Sequence, residues 1–322
     1  MKIAVLDDYA HAALRLADWS GLGEVTVFSD TLSDQDALAS RLEPFDIVCL
    51  MRERTPMPAS LLARLPRLRL IVTTGPRNFA IDSAAAAAQG ITVCGTPGRK
   101  TTTSELTLLM MLALNRRLLP EVASLRAGQW QSGLGRDLHG LSLGLVGLGN
   151  IGRQVATLGR AFGMKVRAWS PNLTAEKAQE GGAELAPGLR DLMAGADVVC
   201  VHMVLSGRTR GLIGAADFAA MKPDAVFINT SRAGLTDTAA LIAALHAGRP
   251  FAAGLDVFDH EPLAVDDPVN DRTLQDAGRL LLTPHLGYTT EATFAVFYRE
   301  TVAAIAAFQA GRAIRVIAAP DG

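Results

Sequence analysis

The chain has 322 residues, of which 49% are hydrophobic and 20% charged, a composition typical of a globular protein with two domains. The net charge of −1 and the pI of about 6.6 provide no basic surface, so we expect neither nucleic acid nor a membrane as a partner. The longest apolar run, Leu106–Leu114, is far shorter than the ~20 residues that cross a bilayer. Three widely spaced cysteines, Cys49, Cys94 and Cys200, indicate buried, reduced thiols in a cytoplasmic protein, and no Cys/His cluster has the spacing of a metal site.

Short apolar segments alternate with helical stretches along the whole chain. The apolar runs predict buried parallel strands at Ile3–Leu6, Val25–Phe28, Ile47–Leu50, Leu70–Val72, Leu143–Val146, Val166–Trp169, Val198–Val201, Val226–Ile228, Ala252–Leu255 and Leu280–Leu282. Helices are predicted over Ser83–Gln89, with Asp82 as N-cap, over Thr103–Leu118 and over Glu291–Ala310. This alternation predicts an α/β protein with doubly wound parallel sheets.

Two breaks that contain glycine and proline indicate how the chain divides. Gly95–Gly98 ends the first series of strands and helices, and Thr283–Gly287 precedes the last helix. We therefore predict a substrate domain composed of residues 1–98 and 285–322. A Rossmann domain of residues 99–284, which binds the cofactor, is predicted to be inserted in it.

Residues 143–153 contain a GxGxxG pattern between a predicted strand and a predicted helix. In this pattern Gly147 allows a tight turn, Gly149 lets the backbone approach a pyrophosphate, and Gly152 lets the helix pack against the strand. The helix N-terminus then offers its amides to the phosphates. The segment therefore predicts a dinucleotide cofactor, NAD or NADP.

The end of the following strand normally carries the residue that contacts the adenosine ribose. An acid there would accept a hydrogen bond from the 2′-hydroxyl and repel a 2′-phosphate. This sequence has Ser170, Pro171 and Asn172 instead, and the first cation after them is Lys177. We expect NAD(P) as the cofactor, with NADP(H) slightly favoured over NAD(H), and Ser170 and Asn172 as contacts.

Three later segments also follow predicted strands of the Rossmann domain. They are Phe227–Gly234, which contains Arg232, Ala253–Leu263, which contains Asp256 and Glu261, and Leu282–Thr289, which contains His285. Ligands bind at the carboxyl ends of strands in open α/β sheets. The arginine, the glutamate and the histidine are therefore expected to meet beside the cofactor.

These segments, together with Gly128–Trp130, Leu138–Gly152 and Met221–Pro223, resemble the D-isomer-specific 2-hydroxyacid dehydrogenase family. The family includes phosphoglycerate dehydrogenases, glyoxylate/hydroxypyruvate reductases and D-lactate dehydrogenases, and the resemblance runs from about residue 45 to the C-terminus. It implies a sequence-split flavodoxin-like substrate domain, a Rossmann domain, an active site in the cleft between the domains, and a homodimer. It also implies hydride transfer between NAD(P)H and a small 2-keto or 2-hydroxy acid.

The resemblance assigns a role to each residue of the catalytic set. Arg232 is expected to hold the substrate carboxylate and to polarise the keto oxygen. His285 is expected to give the proton in reduction and to take it in oxidation, while Glu261 bonds the other ring nitrogen and favours the protonated form. Asp256 is expected to accept a hydrogen bond from the nicotinamide carboxamide. Further cofactor contacts are implied at Asn150, Ile151, Met203, Thr230, Ser231 and Gly287.

The predicted substrate loop departs from the family pattern. The family has a second glycine two residues after Gly75, where this chain has Arg77, and Pro76 has no N–H to offer a carboxylate. Arg77 either reaches a second acidic group on the substrate or points outward. Arg52 occupies the position of a substrate-domain arginine that faces the cleft, so we expect Arg52, Gly75, Pro76 and Arg77 as substrate contacts.

Two alternatives remain beside this interpretation. One is a regulatory protein that senses nicotinamide cofactors on the same fold, although such a protein need not keep the acid–base pair. The other is an enzyme similar to formate dehydrogenase, in which the histidine is paired with glutamine and not, as here, with Glu261.

Overall fold

The computed structural model describes residues 1–99 and 101–320 of the chain. They fall into two compact units, one within Met1–Arg99 and Thr289–Gly322, the other within Lys100–Tyr288. The second unit ends at Tyr288 and not at the predicted residue 284. The reason is that the amides of Leu286 and Gly287 donate to the carboxylate of Asp256, which keeps this turn on the second unit.

The first unit consists of a six-stranded sheet and five helices. Its strands are β1 (Lys2–Val5), β2 (Glu24–Val27), β3 (Ile47–Leu50), β4 (Leu70–Thr73), β5 (Thr92–Gly95) and, from the end of the chain, β13 (Val316–Ala318). Its helices are α1 (Ala13–Leu16), α2 (Gln35–Leu42), α3 (Ala59–Leu62), α4 (Ser83–Ala88) and α13 (Glu291–Gln309). Asp82 caps α4 as predicted, because its carboxylate accepts from the amide of Ala85 at 2.9 Å.

The strand order of this sheet is β13-β5-β4-β3-β1-β2. All neighbours pair in parallel except β13, which is antiparallel to β5. The order 2-1-3-4-5 is that of a flavodoxin-like sheet. Loops that carry polar residues therefore follow β3 and β4 at the carboxyl edge of the sheet, where such folds bind ligands.

The second unit consists of a seven-stranded sheet and eight α-helices. Its strands are β6 (Ser142–Val146), β7 (Lys165–Trp169), β8 (Glu184–Leu185), β9 (Val198–Val201), β10 (Val226–Asn229), β11 (Ala252–Leu255) and β12 (Leu280–Leu282). The α-helices are α5 (Thr102–Asn115), α6 (Leu118–Arg126), α7 (Asn150–Ala161), α8 (Ala175–Glu180), α9 (Leu189–Gly195), α10 (Ala215–Ala220), α11 (Thr238–His246) and α12 (Arg272–Asp276). Two 3-10 helices cover Ala233–Leu235 and Leu286–Tyr288.

All strands of this second sheet are parallel, in the order β12-β11-β10-β9-β6-β7-β8. Helices cover both faces, as β9 illustrates: Val198 and Cys200 belong to one hydrophobic cluster, Val199 and Val201 to another. The order reverses between β6 and β9, which makes the carboxyl ends of these strands the expected ligand crevice of a Rossmann fold. The two parallel-sheet units confirm the predicted fold class.

Two local features differ from the sequence prediction. The helix expected over Thr103–Leu118 ends at Asn115, and a new helix begins at Leu118 after Arg117, whose φ of +53° breaks the helical path. Strands β5, β8 and β13 were not predicted; β8 is only two residues long, and β13 pairs with β5 from a distant part of the chain. Among the described residues, no helix has the length and the apolar character that crossing a membrane requires.

Candidate active site

The glycine loop between β6 and α7 has the geometry of a phosphate cradle. A side-chain carbon at Gly147, whose φ is +100°, would lie 2.4 Å from the carbonyl oxygen of His202, and one at Gly152 would lie 2.3 Å from the carbonyl oxygen of Gly147. At Gly149 the same position is open, with no atom within 4 Å, directly before the first helical residue, Asn150. The loop therefore fits a pyrophosphate, which the amides of a helix N-terminus bind.

The end of β7 lies next to this loop in the sheet. Ser170 is half-buried and begins a turn in which its carbonyl accepts from the amide of Leu173 at 3.1 Å. Asn172 is exposed, as is Lys177 on α8, and Ile151 on α7 is half-buried. The strand end thus presents a hydroxyl and an amide, and residues 170–172 include no carboxylate. The cation Lys177 lies on the following helix, α8.

The loops after β9 and β10 are tied to each other. The hydroxyl of Ser231 donates to the carbonyl of Met203 at 2.6 Å. The buried hydroxyl of Thr230 lies 2.9 Å from that of Thr107 on α5. These contacts fix the backbone after β9 and β10, on one side of the crevice between β6 and β9.

His202, at the end of β9, is a residue to which the sequence analysis gave no role. Both of its ring nitrogens are buried, and neither has a hydrogen-bond partner within the described residues. Burial lowers the pKa of His202 to about 4, so the imidazole is neutral near pH 7. The sequence offered only its position after a buried strand as a signal.

Arg232 extends from a rigid turn after β10. The side chain of Asn229 donates to the carbonyl of Arg232 at 3.0 Å and accepts from the amide of Ser231 at 2.9 Å. The guanidinium donates through Nη1 to the carbonyl of Ser231 at 2.7 Å and is half-buried. A permanently charged, planar donor group is therefore presented from a fixed backbone.

Glu261 and His285 form a hydrogen-bonded pair. Oε2 of Glu261 lies 2.7 Å from Nδ1 of His285, and the two side chains are only 19% and 15% exposed. Oε1 of Glu261 accepts from the amide of Phe258 at 3.1 Å, which fixes the carboxylate plane. Because Nδ1 is the nitrogen that meets the carboxylate, Nε2 lies on the opposite side of the ring.

Asp256 accepts three hydrogen bonds from the turn that carries this histidine. Its fully buried carboxylate accepts from the hydroxyl of Thr283 at 2.6 Å and from the amides of Leu286 at 2.6 Å and Gly287 at 2.8 Å. Burial raises the pKa of Asp256, and these hydrogen bonds oppose the rise. Both oxygens therefore accept hydrogen bonds within the protein, and the expected bond from a nicotinamide carboxamide stays a prediction.

In the first unit, the side chain of Arg52 lies across Gly75. Arg52 has a φ of +56°, its amide donates to the hydroxyl of Thr74 at 2.9 Å, and Nη1 donates to the carbonyl of Thr74 at 3.4 Å. A side-chain carbon on Gly75 would lie 1.9 Å from that Nη1 atom. The φ of +95° at Gly75 favours glycine, and the left-handed backbone at Arg52 is of the strained kind that clusters at ligand sites.

The rest of this loop is anchored by a residue that the sequence analysis passed over. Buried Asn78 donates to the carbonyl of Arg52 at 2.6 Å and to the hydroxyl of Thr73 at 2.9 Å. Pro76 and Arg77 are exposed, and Arg77 has no ion-pair partner in the described part of the chain. The exposed guanidinium of Arg77 thus lies on a loop whose base is held by the hydrogen bonds of Asn78.

Residues 108–287 match the family described as "D-isomer specific 2-hydroxyacid dehydrogenase, NAD binding domain". The chain belongs to this family. Its second unit is therefore an NAD-binding domain, and the resemblance stated from the motifs is confirmed. This 2-hydroxyacid dehydrogenase family member contains, among its described residues, no group of three His, Cys, Asp or Glu side chains arranged to bind a metal.

Several relatives of this family member cover most of its length. It is 33% identical over 294 residues to the D-3-phosphoglycerate dehydrogenase of Methanocaldococcus jannaschii, an alignment of 90% of this chain and 54% of that protein. It is also 33% identical over 300 residues to 4-methyl-2-oxopentanoate reductase A of Aspergillus oryzae, covering 90% and 89%. The solved phosphoglycerate oxidoreductase of Vibrio cholerae is 38% identical, covers 97% of this chain and 99% of its own, and has a TM-score of 0.89. The chain thus spans about half the length of the first of these relatives.

Proposed function

We propose that the protein transfers a hydride between NAD(P)H and a small 2-keto or D-2-hydroxy acid. The observation that carries the proposal is the Glu261–His285 pair, 2.7 Å apart, which follows the same edge of the sheet as the glycine loop. A binding protein has no need for a hydrogen-bonded acid–base pair at that edge. A dehydrogenase needs one, because a proton must accompany the hydride.

The proposed mechanism gives this chain the tasks of binding, orientation and proton transfer. When bound, the nicotinamide supplies the hydride to C2 of the keto acid or accepts it from the hydroxy acid. Arg232 holds the substrate carboxylate and polarises the keto oxygen. His285 gives its proton to that oxygen from Nε2 in reduction and takes it back in oxidation. Glu261 keeps the ring in this orientation and stabilises the imidazolium.

The substrate contacts proposed in the first unit are Arg52, Gly75, Pro76 and Arg77. The support is the positive φ of Arg52 and of Gly75 and the close approach of the Arg52 side chain to Gly75. Arg77 is exposed on the loop that contains Gly75. Arg77 is proposed to meet a second acidic group, which favours keto diacids. Pro76 is proposed to contribute shape alone, since it has no amide proton to donate.

For the cofactor, we propose that NADPH is used at least as efficiently as NADH. The glycine loop and the N-terminus of α7 would hold the pyrophosphate, with Asn150 and Ile151 beside it and Met203, Thr230, Ser231 and Gly287 lining the crevice. At the ribose, Ser170 and Asn172 stand where NAD-specific proteins have an acid, so no carboxylate there repels a 2′-phosphate. Lys177, exposed on α8, is the first cation after these residues and is proposed to attract it.

We also propose a cytoplasmic homodimer. Exposed apolar side chains concentrate on α5, α6 and the segment that follows them, including Leu125, Trp130, which is 76% exposed, and Leu134, which is 94% exposed. Such a concentration is unusual on a monomer. The three buried free thiols suit a reducing compartment. Light scattering on the purified protein gives the mass that tests the dimer.

The deciding experiment is a panel of 2-keto acids, monoacids and diacids, assayed with NADPH and with NADH at the nicotinamide absorbance. Turnover of at least one 2-keto acid that is lost in His285→Ala is expected. Formate with NAD+ and NADP+ is included, and turnover of formate alone would replace the proposal by a formate dehydrogenase. Tight cofactor binding without turnover of any acid would instead indicate a regulatory protein.

A further inference from the structure

Tyr288 lies against the imidazole of His285. The two ring centroids are 5.0 Å apart and the planes are inclined by 64°. This is an edge-to-face arrangement, which aromatic pairs prefer. The tyrosine ring is half-buried, and its hydroxyl oxygen is buried. The imidazole of His285 therefore contacts a tyrosine ring that is partly buried within the protein.

The position of Tyr288 is determined by the turn that carries both rings. His285 has a φ of +54°, a strained conformation for a histidine, and residues Leu286–Tyr288 form a 3-10 helix. Asp256 accepts the amides of Leu286 and Gly287, and the hydroxyl of Thr103 donates to the carbonyl of Gly287 at 2.9 Å. Because this backbone is held from both sides, the positions from which the two rings extend are fixed relative to each other.

Glu261 alone does not fix the histidine ring. One hydrogen bond at Nδ1 leaves the imidazole able to swing about the line that joins the two groups. A second contact on another side of the ring removes that freedom, and Tyr288 makes it. Preorganisation of this kind matters because a displacement of about 1 Å at a reacting group can cost on the order of 100-fold in rate.

We propose that Tyr288 is a positioning residue that acts through His285, holding its ring so that Nε2 meets the substrate oxygen. This inference rests on the proposed function, in which His285 is the acid–base group. The aromatic ring of Tyr288 performs the task, and its hydroxyl is not required. Glu261 and Asp256 are charged groups that act on His285, and the variants of Tyr288 change neither of them.

The test is a double-mutant cycle with a matched pair of variants. Tyr288→Leu removes the ring and keeps an apolar side chain, whereas Tyr288→Phe keeps the ring and removes the hydroxyl. Tyr288→Leu should lower kcat/KM for keto-acid reduction by about 10- to 100-fold, chiefly through kcat, and Tyr288→Phe should keep most of the activity. In a His285→Gln background, Tyr288→Leu should have little further effect, because the group through which it acts is gone.

The outcomes separate this inference from the proposed function. An equal loss in both backgrounds, or a loss as large in Tyr288→Phe as in Tyr288→Leu, overturns the positioning role. Full activity of His285→Gln overturns the proposed function instead. Thermal midpoints of all variants and cofactor binding by fluorescence report whether a variant is folded.

A second measurement needs neither turnover nor cofactor. In the proton–carbon NMR spectrum of the wild-type protein, the ring signal of His285 is assigned by its loss in His285→Gln from among the six histidines. Through-space transfer between this signal and the Tyr288 ring is expected. The signal should move in Tyr288→Leu and stay near its place in Tyr288→Phe. Absence of the transfer in the wild type contradicts the inference even if Tyr288→Leu does not fold. The same signal in both variants, when both are folded, contradicts it as well.

Discussion

Nδ1 of His285 lies 2.7 Å from Oε2 of Glu261, although the two residues are 24 positions apart and follow different strands. A carboxylate at this distance stabilises the imidazolium over the neutral ring. Ketone reduction uses the imidazolium and alcohol oxidation uses the neutral form. The pair therefore holds the proposed proton donor at a fixed place beside its carboxylate partner.

The first prediction concerns the charge of Glu261. Glu261→Gln removes the negative charge and keeps an acceptor, so the imidazolium loses stabilisation. The value of kcat/KM for reduction should then fall, because reduction uses the imidazolium, and the value for oxidation should fall less. His285→Ala should lose about 10²- to 10⁴-fold of the rate. Unchanged kcat/KM for reduction in Glu261→Gln would separate Glu261 from the acid–base step.

The second prediction concerns Arg232. Arg232→Ala should abolish measurable substrate binding while cofactor binding stays near the wild-type level, because the two hydrogen bonds of Asn229 still hold the turn. Loss of one partner of a buried charge pair costs about 2–5 kcal/mol. Arg232→Lys should restore little, since an ammonium lacks the planar fork. Steady-state kinetics and cofactor fluorescence measure both effects, and wild-type KM and kcat in Arg232→Ala would remove the residue from the site.

The third prediction concerns the choice of cofactor. Wild-type kcat/KM with NADPH should equal or exceed that with NADH. Ser170→Asp should move the preference toward NADH by at least about tenfold, or ~1.4 kcal/mol, through a ribose acceptor and repulsion of the 2′-phosphate. Lys177→Ala should weaken NADPH use and leave NADH use unchanged. A wild-type preference of about a hundredfold for NADH, or ~2.7 kcal/mol, would refute the proposed role of Ser170.

The fourth prediction concerns Arg77. If its guanidinium meets a second acidic group, keto diacids should have higher kcat/KM than monoacids of similar size, and Arg77→Ala should remove that advantage. Reduction of pyruvate or glyoxylate should stay near the wild-type rate. Arg312→Ala, which removes another exposed arginine of the same unit, is the matched control. Equal losses on diacids and monoacids in Arg77→Ala would show that the residue serves the loop and not the substrate.

The fifth prediction concerns the stability contributed by neutral His202. The folded protein binds a proton at this ring less readily than the unfolded chain, since the pKa falls from 6.5 to about 4. Its contribution to the free energy of unfolding is therefore full above pH ~6.5 and is lost, by about 3 kcal/mol, as the pH falls toward 4. His202→Leu, of similar volume, should lose less stability over this range in urea unfolding. Parallel pH curves for the two proteins would contradict the assignment.

Several features were determined by the sequence itself. The GxGxxG segment between an apolar run and a helix predicts its own turn, because Gly147, Gly149 and Gly152 meet local steric demands. The apolar runs predict strands buried on both faces, and Asp82 predicts the start of α4. Arg232, Glu261 and His285 were found because each follows such a strand, and the topology of a parallel sheet brings strand ends to one edge. All of these depend on neighbours within a few residues or on the order of elements.

Other features were decided only by tertiary structure. Asp256 takes its three donors from residues 283–287, so its grip on the histidine turn depends on how two strand ends meet. The contact between Tyr288 and His285 depends on a strained φ, and the end of α5 depends on the left-handed backbone of Arg117. Local patterns do not encode such contacts, because the free energy that supports strain and burial comes from groups far away in sequence. The sequence therefore predicted the candidate reacting groups, and packing decided how each is held.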